Sequence, residues 1–228
     1  MTSIGFLHTA QAHVATFDDL THRLRPLIGT LHVVDESLLV RARVDGIDSV
    51  GSSVEVALEQ LRQAGADVIV CTCSTIGDLA ERVARDVVTL RVDRPMARTA
   101  VDAAERGGRR IGVIAALEST LAPTRRLLEA EAAASSAASG AAGPTSSGTV
   151  PAVELVLVPG AWAEFEAGNT EAYLHLVADA ARELADRVDV VVLSQASMAA
   201  AELLLTDVDV PVLSSPSVAV SYVLTQLE

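Results

Sequence analysis

The chain has 228 residues, half of them hydrophobic and only 3% aromatic, with a formal net charge of −13. That acidity sets the surface against phosphate backbones and argues against nucleic acid as a partner. Its 17 basic residues are all arginine, and the lack of lysine rules out a pyridoxal phosphate Schiff base, a P-loop and Schiff-base aldolase chemistry.

Taken in chain order, short apolar runs alternate with segments of helical period. Residues 4–8 read as a strand, 14–27 as a helix and 31–34 as a second strand. A helix over 54–63 ends near Gly65, and a strongly apolar strand follows over 67–72. A helix over 76–84, a strand over 87–92 and a helix over 96–105 complete the first half. Such alternation implies parallel βαβ units with sheets covered by helices.

The second half then repeats the first. Ile4-Gly5-Phe6-Leu7 recurs as Ile111-Gly112-Val113-Ile114, Asp67-Val68-Ile69-Val70 as Asp189-Val190-Val191-Val192, and Pro95-Met96-Ala97 as Pro216-Ser217-Val218-Ala219. The spacing is wider in the second half, and residues 132–149 supply the excess. This uncharged stretch of Ala, Ser, Gly, Thr and one Pro reads as a flexible insertion. The fold class is therefore α/β, with two similar lobes, each a parallel sheet flanked by helices. No basic region precedes a long apolar run at the N-terminus, so neither a signal peptide nor a membrane span is expected. Two cysteines without a wider framework fit a reducing compartment, and a cytoplasmic location follows.

In parallel sheets, ligands gather beyond the carboxyl ends of the strands, where helices begin and their free N–H groups meet anions. A duplicated fold would set two such ends face to face, here the turns Thr72-Cys73-Ser74-Thr75 and Ser194-Gln195-Ala196-Ser197. Cys73 stands at a strand-to-helix junction, where a helix N-terminus is expected to favour its thiolate. Cys71, inside the strand, reads as core filler. The C-x-C spacing has no second ligand cluster, so no metal is expected.

The segment Val68-Ile69-Val70-Cys71-Thr72-Cys73-Ser74-Thr75 resembles the first cysteine motif of the aspartate/glutamate/hydantoin racemase superfamily, with Cys73-Ser74-Thr75 where glutamate racemases show Cys-Asn-Thr. Leu193-Ser194-Gln195-Ala196-Ser197-Met198-Ala199 resembles the second motif, nearest the Gly-Cys-Ala-Gly-Met form of hydantoin racemases. His8-Thr9 lies where the family often has Asp-Ser. The resemblance implies two α/β lobes related by a pseudo-twofold axis, with the C-terminal strand and helix returning to the first. The lobes are then 1–97 plus 207–228, and 98–206. It also implies cofactor-independent chemistry on a small carboxylic acid, in which two cysteines exchange a proton at an activated carbon. This chain departs at the second cysteine, which is Gln195, a side chain that cannot carry that proton. Arylmalonate decarboxylases of the same superfamily work with one cysteine, but at the second position.

Cys73 is accordingly the expected catalytic residue. Ser74 and Thr75 are expected to bind a carboxylate or enediolate oxygen, and Gln195, Ala196 and Ser197 to line the opposite wall. His8, Thr9 and Thr120 are further substrate-binding candidates. His13 reads as a cap or site residue, and His22, His32 and His175 as surface or packing residues. Arg94 and Arg98 read as solvated helix charges or a carboxylate partner, and Trp162 and Phe165 as residues of a loop. The expected activity is an isomerase or lyase acting through one thiol. The alternatives are a racemase with a second base such as His8, a cysteine hydrolase using His8, or a non-catalytic small-ligand binding protein on the same fold. No membrane partner is expected, and a homodimer is left open.

Overall fold

The computed structural model describes residues 2–138 and 150–227. Along the chain these form β1 (Ser3–His8), α1 (His13–Leu24), β2 (Gly29–Val34), α2 (Glu36–Asp45), a 3-10 turn (Ile47–Val50), α3 (Gly51–Gln63), β3 (Val68–Cys71), α4 (Gly77–Val83), β4 (Val88–Arg91) and α5 (Arg94–Arg106). The second half carries β5 (Arg110–Ala115), α6 (Glu118–Ala138), β6 (Ala152–Leu157), α7 (Ala161–Glu166), α8 (Thr170–Ala185), β7 (Val190–Leu193), a 3-10 helix (Ala196–Leu204), β8 (Val212–Ser214) and α9 (Ser215–Gln226).

Two four-stranded sheets result, in the orders β2-β1-β3-β4 and β6-β5-β7-β8. Every pairing within them is parallel. The chain divides into two compact units: residues up to Asp93 together with those from Ser215 onward, and Arg94–Ser214. These limits differ from the sequence boundaries at 97 and 207 for a structural reason. Helix α5 is one unbroken element, and β8 pairs with β7, so both belong whole to the second unit.

The repeat has a physical basis in each unit. In the first, Asp67 accepts the Ser3 N–H at 2.8 Å. In the second, Asp189 accepts the Gly108 N–H at 2.8 Å and the Arg110 N–H at 2.7 Å. Each aspartate thus ties the start of an outer-central strand to its neighbour. Gly5 and Gly112 occupy matching places in β1 and β5. A Cβ on Gly5 would stand 2.9 Å from Ala66 Cβ, and one on Gly112 would stand 2.5 Å from Leu184 Cδ2. Glycine is needed at both because a helix closes directly onto the strand.

The second sheet is covered on both faces. Val191 and Leu193 pack with Tyr173, Val177, Ala181 and Leu184 of α8. Val190 and Val192, pointing the other way, pack with Met96, Ala100 and Val101 of α5 and with Leu127 and Leu128 of α6.

Four expectations change. Helix α1 stops at Leu24 rather than at 27, because Arg25 precedes Pro26 and takes an extended conformation. Residues 36–45, unassigned in the sequence reading, form α2, capped by Asp35 through the Ser37 N–H at 3.0 Å. Of the expected insertion, residues 132–138 are the end of α6, and buried Ala132 packs with Leu128 and Val101; residues 139–149 lie outside the described residues. Trp162 and Phe165 lie on α7, not in a loop, with ring centroids 5.0 Å apart.

Candidate active site

In the first unit, β1 ends at His8, β3 at Cys71 and β4 at Arg91, so their following residues share the carboxyl edge of the sheet. Thr72 fastens the turn after β3 to β1. Its N–H and its hydroxyl both donate to the Leu7 carbonyl, at 2.9 and 3.1 Å. Cys73 follows and is only 7% exposed.

The Cys73 sulfur is surrounded by donors. The Thr9 hydroxyl and the backbone N–H groups of Ile76 and Thr75 hydrogen-bond to it. Burial nevertheless pushes the thiol above its ordinary value, and the Asp93 carboxylate adds to the push. This reverses the expectation of a favoured thiolate. Helix α4 begins only at Gly77 and spans seven residues, so its N-terminal field cannot offset the loss of water. Cys71 is fully buried, its sulfur 3.8 Å from the Cys73 carbonyl, and burial pushes its thiol up as well.

Beneath this turn lies a pair the sequence reading did not single out. Arg91 donates to Asp93 through Nε at 2.6 Å and through Nη2 at 2.9 Å, with both side chains essentially out of solvent. The Arg91 Nη2 also reaches the Ser74 carbonyl at 3.4 Å. A buried pair of this kind is costly to break, by about 3–5 kcal/mol for loss of one partner. Two charged residues two apart, closing an apolar strand beside the cysteine turn, were the available signal.

His8 is buried at the end of β1. Its Nδ1 lies 2.8 Å from Thr72 Oγ1 and its Nε2 lies 2.9 Å from His32 Nδ1. Burial first, then the neighbouring His13 and His32, bring its pKa down to about 3, so the ring is neutral near pH 7. Its nitrogens are thus turned to protein partners. Thr9, the next residue, carries the hydroxyl that meets Cys73. Ser74 and Thr75 are buried in the same turn.

The second unit holds the matching turn. Ser194 repeats Thr72, donating its N–H and hydroxyl to the Ile114 carbonyl at 3.0 and 2.8 Å. Gln195 takes the place of Cys73. Its Oε1 accepts the N–H groups of Ala116 at 2.6 Å and Leu117 at 3.2 Å, which leaves its amide nitrogen as the end able to donate. Thr120 is buried in the turn that Leu117 begins, its N–H on the Leu117 carbonyl at 3.1 Å. Ala196 opens the 3-10 helix, and Ser197 Oγ lies 2.7 Å from the Tyr173 hydroxyl. Tyr173, another residue missed in sequence, is buried, and burial pushes its phenol up to about 12. Arg94 and Arg98 are turned to Glu131, at 2.5 and 3.2 Å. Among the described residues no group of three or more His, Cys, Asp or Glu side chains is arranged to hold a metal ion. No helix among them is long and apolar enough to cross a membrane.

The family model described as Asp/Glu/Hydantoin racemase matches residues 4–223. No curated protein matches the chain significantly in sequence. Among solved structures, glutamate racemase isoform RacE1 from Bacillus anthracis aligns with a TM-score of 0.71 at 18% identity, covering 99% of this chain and 81% of that one. Aspartate racemase from Picrophilus torridus aligns with a TM-score of 0.72 at 10% identity, covering 99% and 94%. An arylmalonate decarboxylase aligns with a TM-score of 0.57 at 14% identity, covering 99% and 92%. At these identities the likeness carries the fold.

Proposed function

The chain belongs to the Asp/Glu/Hydantoin racemase family, a family of isomerases, and on that premise we propose a cofactor-independent enzyme in which Cys73 alone moves the proton at the reacting carbon of a small carboxylic acid. The observation that carries this reading is the environment of the Cys73 sulfur. It is buried and holds its proton at rest, yet three donors, from Thr9, Ile76 and Thr75, are aimed at it.

Such a thiol is suited to give a proton rather than to take one first. In the forward step the substrate loses a group, for a lyase carbon dioxide, and the electron pair of the broken C–C bond remains as an enediolate. The Cys73 S–H bond then breaks and its proton joins carbon. The resulting thiolate is held by the three donors, which gain strength as the charge forms. Gln195, with its oxygen committed to Ala116 and Leu117, offers N–H donors and no second proton-transfer group. This favours lyase or one-face exchange chemistry over two-base racemisation. His8, with both ring nitrogens near protein partners, is poorly placed to serve as a substitute base.

The test is incubation of a panel of small acids in deuterium oxide, following the alpha carbon by NMR. The expected result is incorporation of one deuteron with a single handedness, abolished in Cys73→Ala. Exchange or turnover that survives in Cys73→Ala, or none with any acid, would overturn the reading. The latter outcome would move the chain to the non-catalytic binding class.

A further inference from the structure

Three of the five histidines meet in the first unit, stacked on Phe6 or set edge-on and tilted against one another and Phe17. The rings of His8 and His32 lie 5.2 Å apart and nearly parallel, at 12°. The parallel register makes this contact, since Phe6 of β1 pairs with His32 of β2 and His8 stands two residues further along the same face.

The four groups form one chain. The Thr72 hydroxyl has His8 Nδ1 at 2.8 Å and the Leu7 carbonyl at 3.1 Å, His8 Nε2 lies 2.9 Å from His32 Nδ1, and His32 Nε2 lies 3.5 Å from Asp18 Oδ1. A neutral imidazole has one donor and one acceptor nitrogen, so the chain runs either from Thr72 towards Asp18 or from His32 towards Leu7. Asp18 is held in place by the Thr30 hydroxyl. An added proton makes both His32 nitrogens donors: Nε2 faces the Asp18 carboxylate, His8 Nε2 must accept, and the Thr72 hydroxyl is then turned to Leu7.

We propose that Asp18, His32 and His8 are positioning residues for the cysteine turn, a chain whose direction one proton at His32 fixes and that sets the alignment of Thr9 with Cys73. His8 ties the end of β1 to the turn after β3. Thr9 and Thr72 are its two handles: one bonds the Cys73 sulfur, the other precedes Cys73 in the chain. The groups that bear on the His32 charge can be named. Helix α1 presents Asp18 and His22, and β1 presents His8, which in turn has His13 beside it. Helix α3 closes on the opposite face of β1 through Leu61 and brings no charge to this stack. Burial lowers the His32 pKa while Asp18 raises it, so the proton is exchanged on the acid side of the usual histidine range.

The role assigned to Cys73 above supplies the purpose of this chain, but the chain can be read without it. The experiment follows the rate of Cys73 alkylation by iodoacetamide against pH in a Cys71→Ala background, beside the histidine NMR spectrum. In the parent protein, the plot of log rate against pH should break from a straight line where His32 titrates. Both His32→Gln and Asp18→Asn should remove that break. His32→Gln keeps a donor towards His8 and should stay within about threefold of the parent rate, whereas His32→Phe keeps the stacking but loses the donor and should fall about tenfold. The nitrogen spectrum of the unsubstituted protein should show the His8 proton on Nδ1 alone once His32 is charged. A straight parent plot, a break that persists in His32→Gln, or a His8 proton that stays on Nε2 after His32 is charged would each overturn the proposal. Because alkylation needs only the thiol, those results stand apart from the exchange test with Cys73→Ala, which judges whether the thiol is catalytic.

Discussion

At the scale of single residues, the site is decided by a contest at one sulfur atom. Burial raises the Cys73 thiol, and the Thr9 hydroxyl is the first of the groups that oppose it. A hydrogen bond to a charged acceptor contributes about 1.5–3 kcal/mol, and 1.4 kcal/mol is a factor of ten in an equilibrium. Thr9→Val keeps the shape of the side chain and removes the donor. The Cys73 titration should therefore move further up, and alkylation at pH 7 should slow roughly tenfold. Unchanged alkylation would mean that the Thr75 and Ile76 N–H groups carry the thiolate alone. The sequence pointed to Cys73 because a cysteine at a strand end is conspicuous. It did not reveal the sign of the pKa shift, which depends on how completely the turn is covered, a property of packing and not of spacing.

At the scale of elements, what could be read was what repeats or alternates. The strands around Ile69, Ile111 and Val191 are apolar runs, and α3 and α5 bury residues at helical spacing. The misread parts had other causes. Residues 132–138 were judged by their small side chains, yet alanine is the strongest helix former and needs little burial to extend a helix already begun. The His8–His32 contact joins residues far apart in sequence, and only the register of β1 on β2, with Phe6 opposite His32 and His8 two residues further along, brings the rings together. The paired aspartates did leave a trace, since Asp67 and Asp189 open the two matched runs. Asp189 accepts two backbone N–H groups, Gly108 first and Arg110 second, and these hold its carboxyl below the usual aspartate range. A folded-state value lowered in this way adds stability above the ordinary aspartate range, and the gain is lost as pH falls through the lowered value. Asp189→Ala should cost about 1 kcal/mol at pH 7. The difference between its urea midpoint and that of the parent should narrow as pH falls below the ordinary aspartate range. A gap that does not narrow on acidification would show a cost from packing rather than from the carboxylate.

At the scale of the whole molecule, the chain leaves the first unit at Asp93 and returns to it only with α9. That helix packs against α1. It buries Pro216, Ala219, Val220, Val223 and Leu224, so one side of the first core is supplied from the far end of the fold's chain order. Burying a valine or leucine side chain contributes about 1.5–3 kcal/mol, so the three larger residues together approach the 5–15 kcal/mol that holds a typical domain folded. The second unit has no such debt, since both faces of its sheet are covered from within Arg94–Ser214. Removing residues 215–228 should therefore melt the first unit and spare the second. Hydrogen exchange read by mass spectrometry should find amides of β1 and β3 exchanging at unfolded rates, while those of β5 and β7 stay protected. Iodoacetamide should then react with Cys71 and Cys73 at the rate of free thiols. Protection retained in β1 and β3 would mean that α1 and the sheet close their core without α9. Protection lost equally in β5 and β7 would mean that the two units unfold as one.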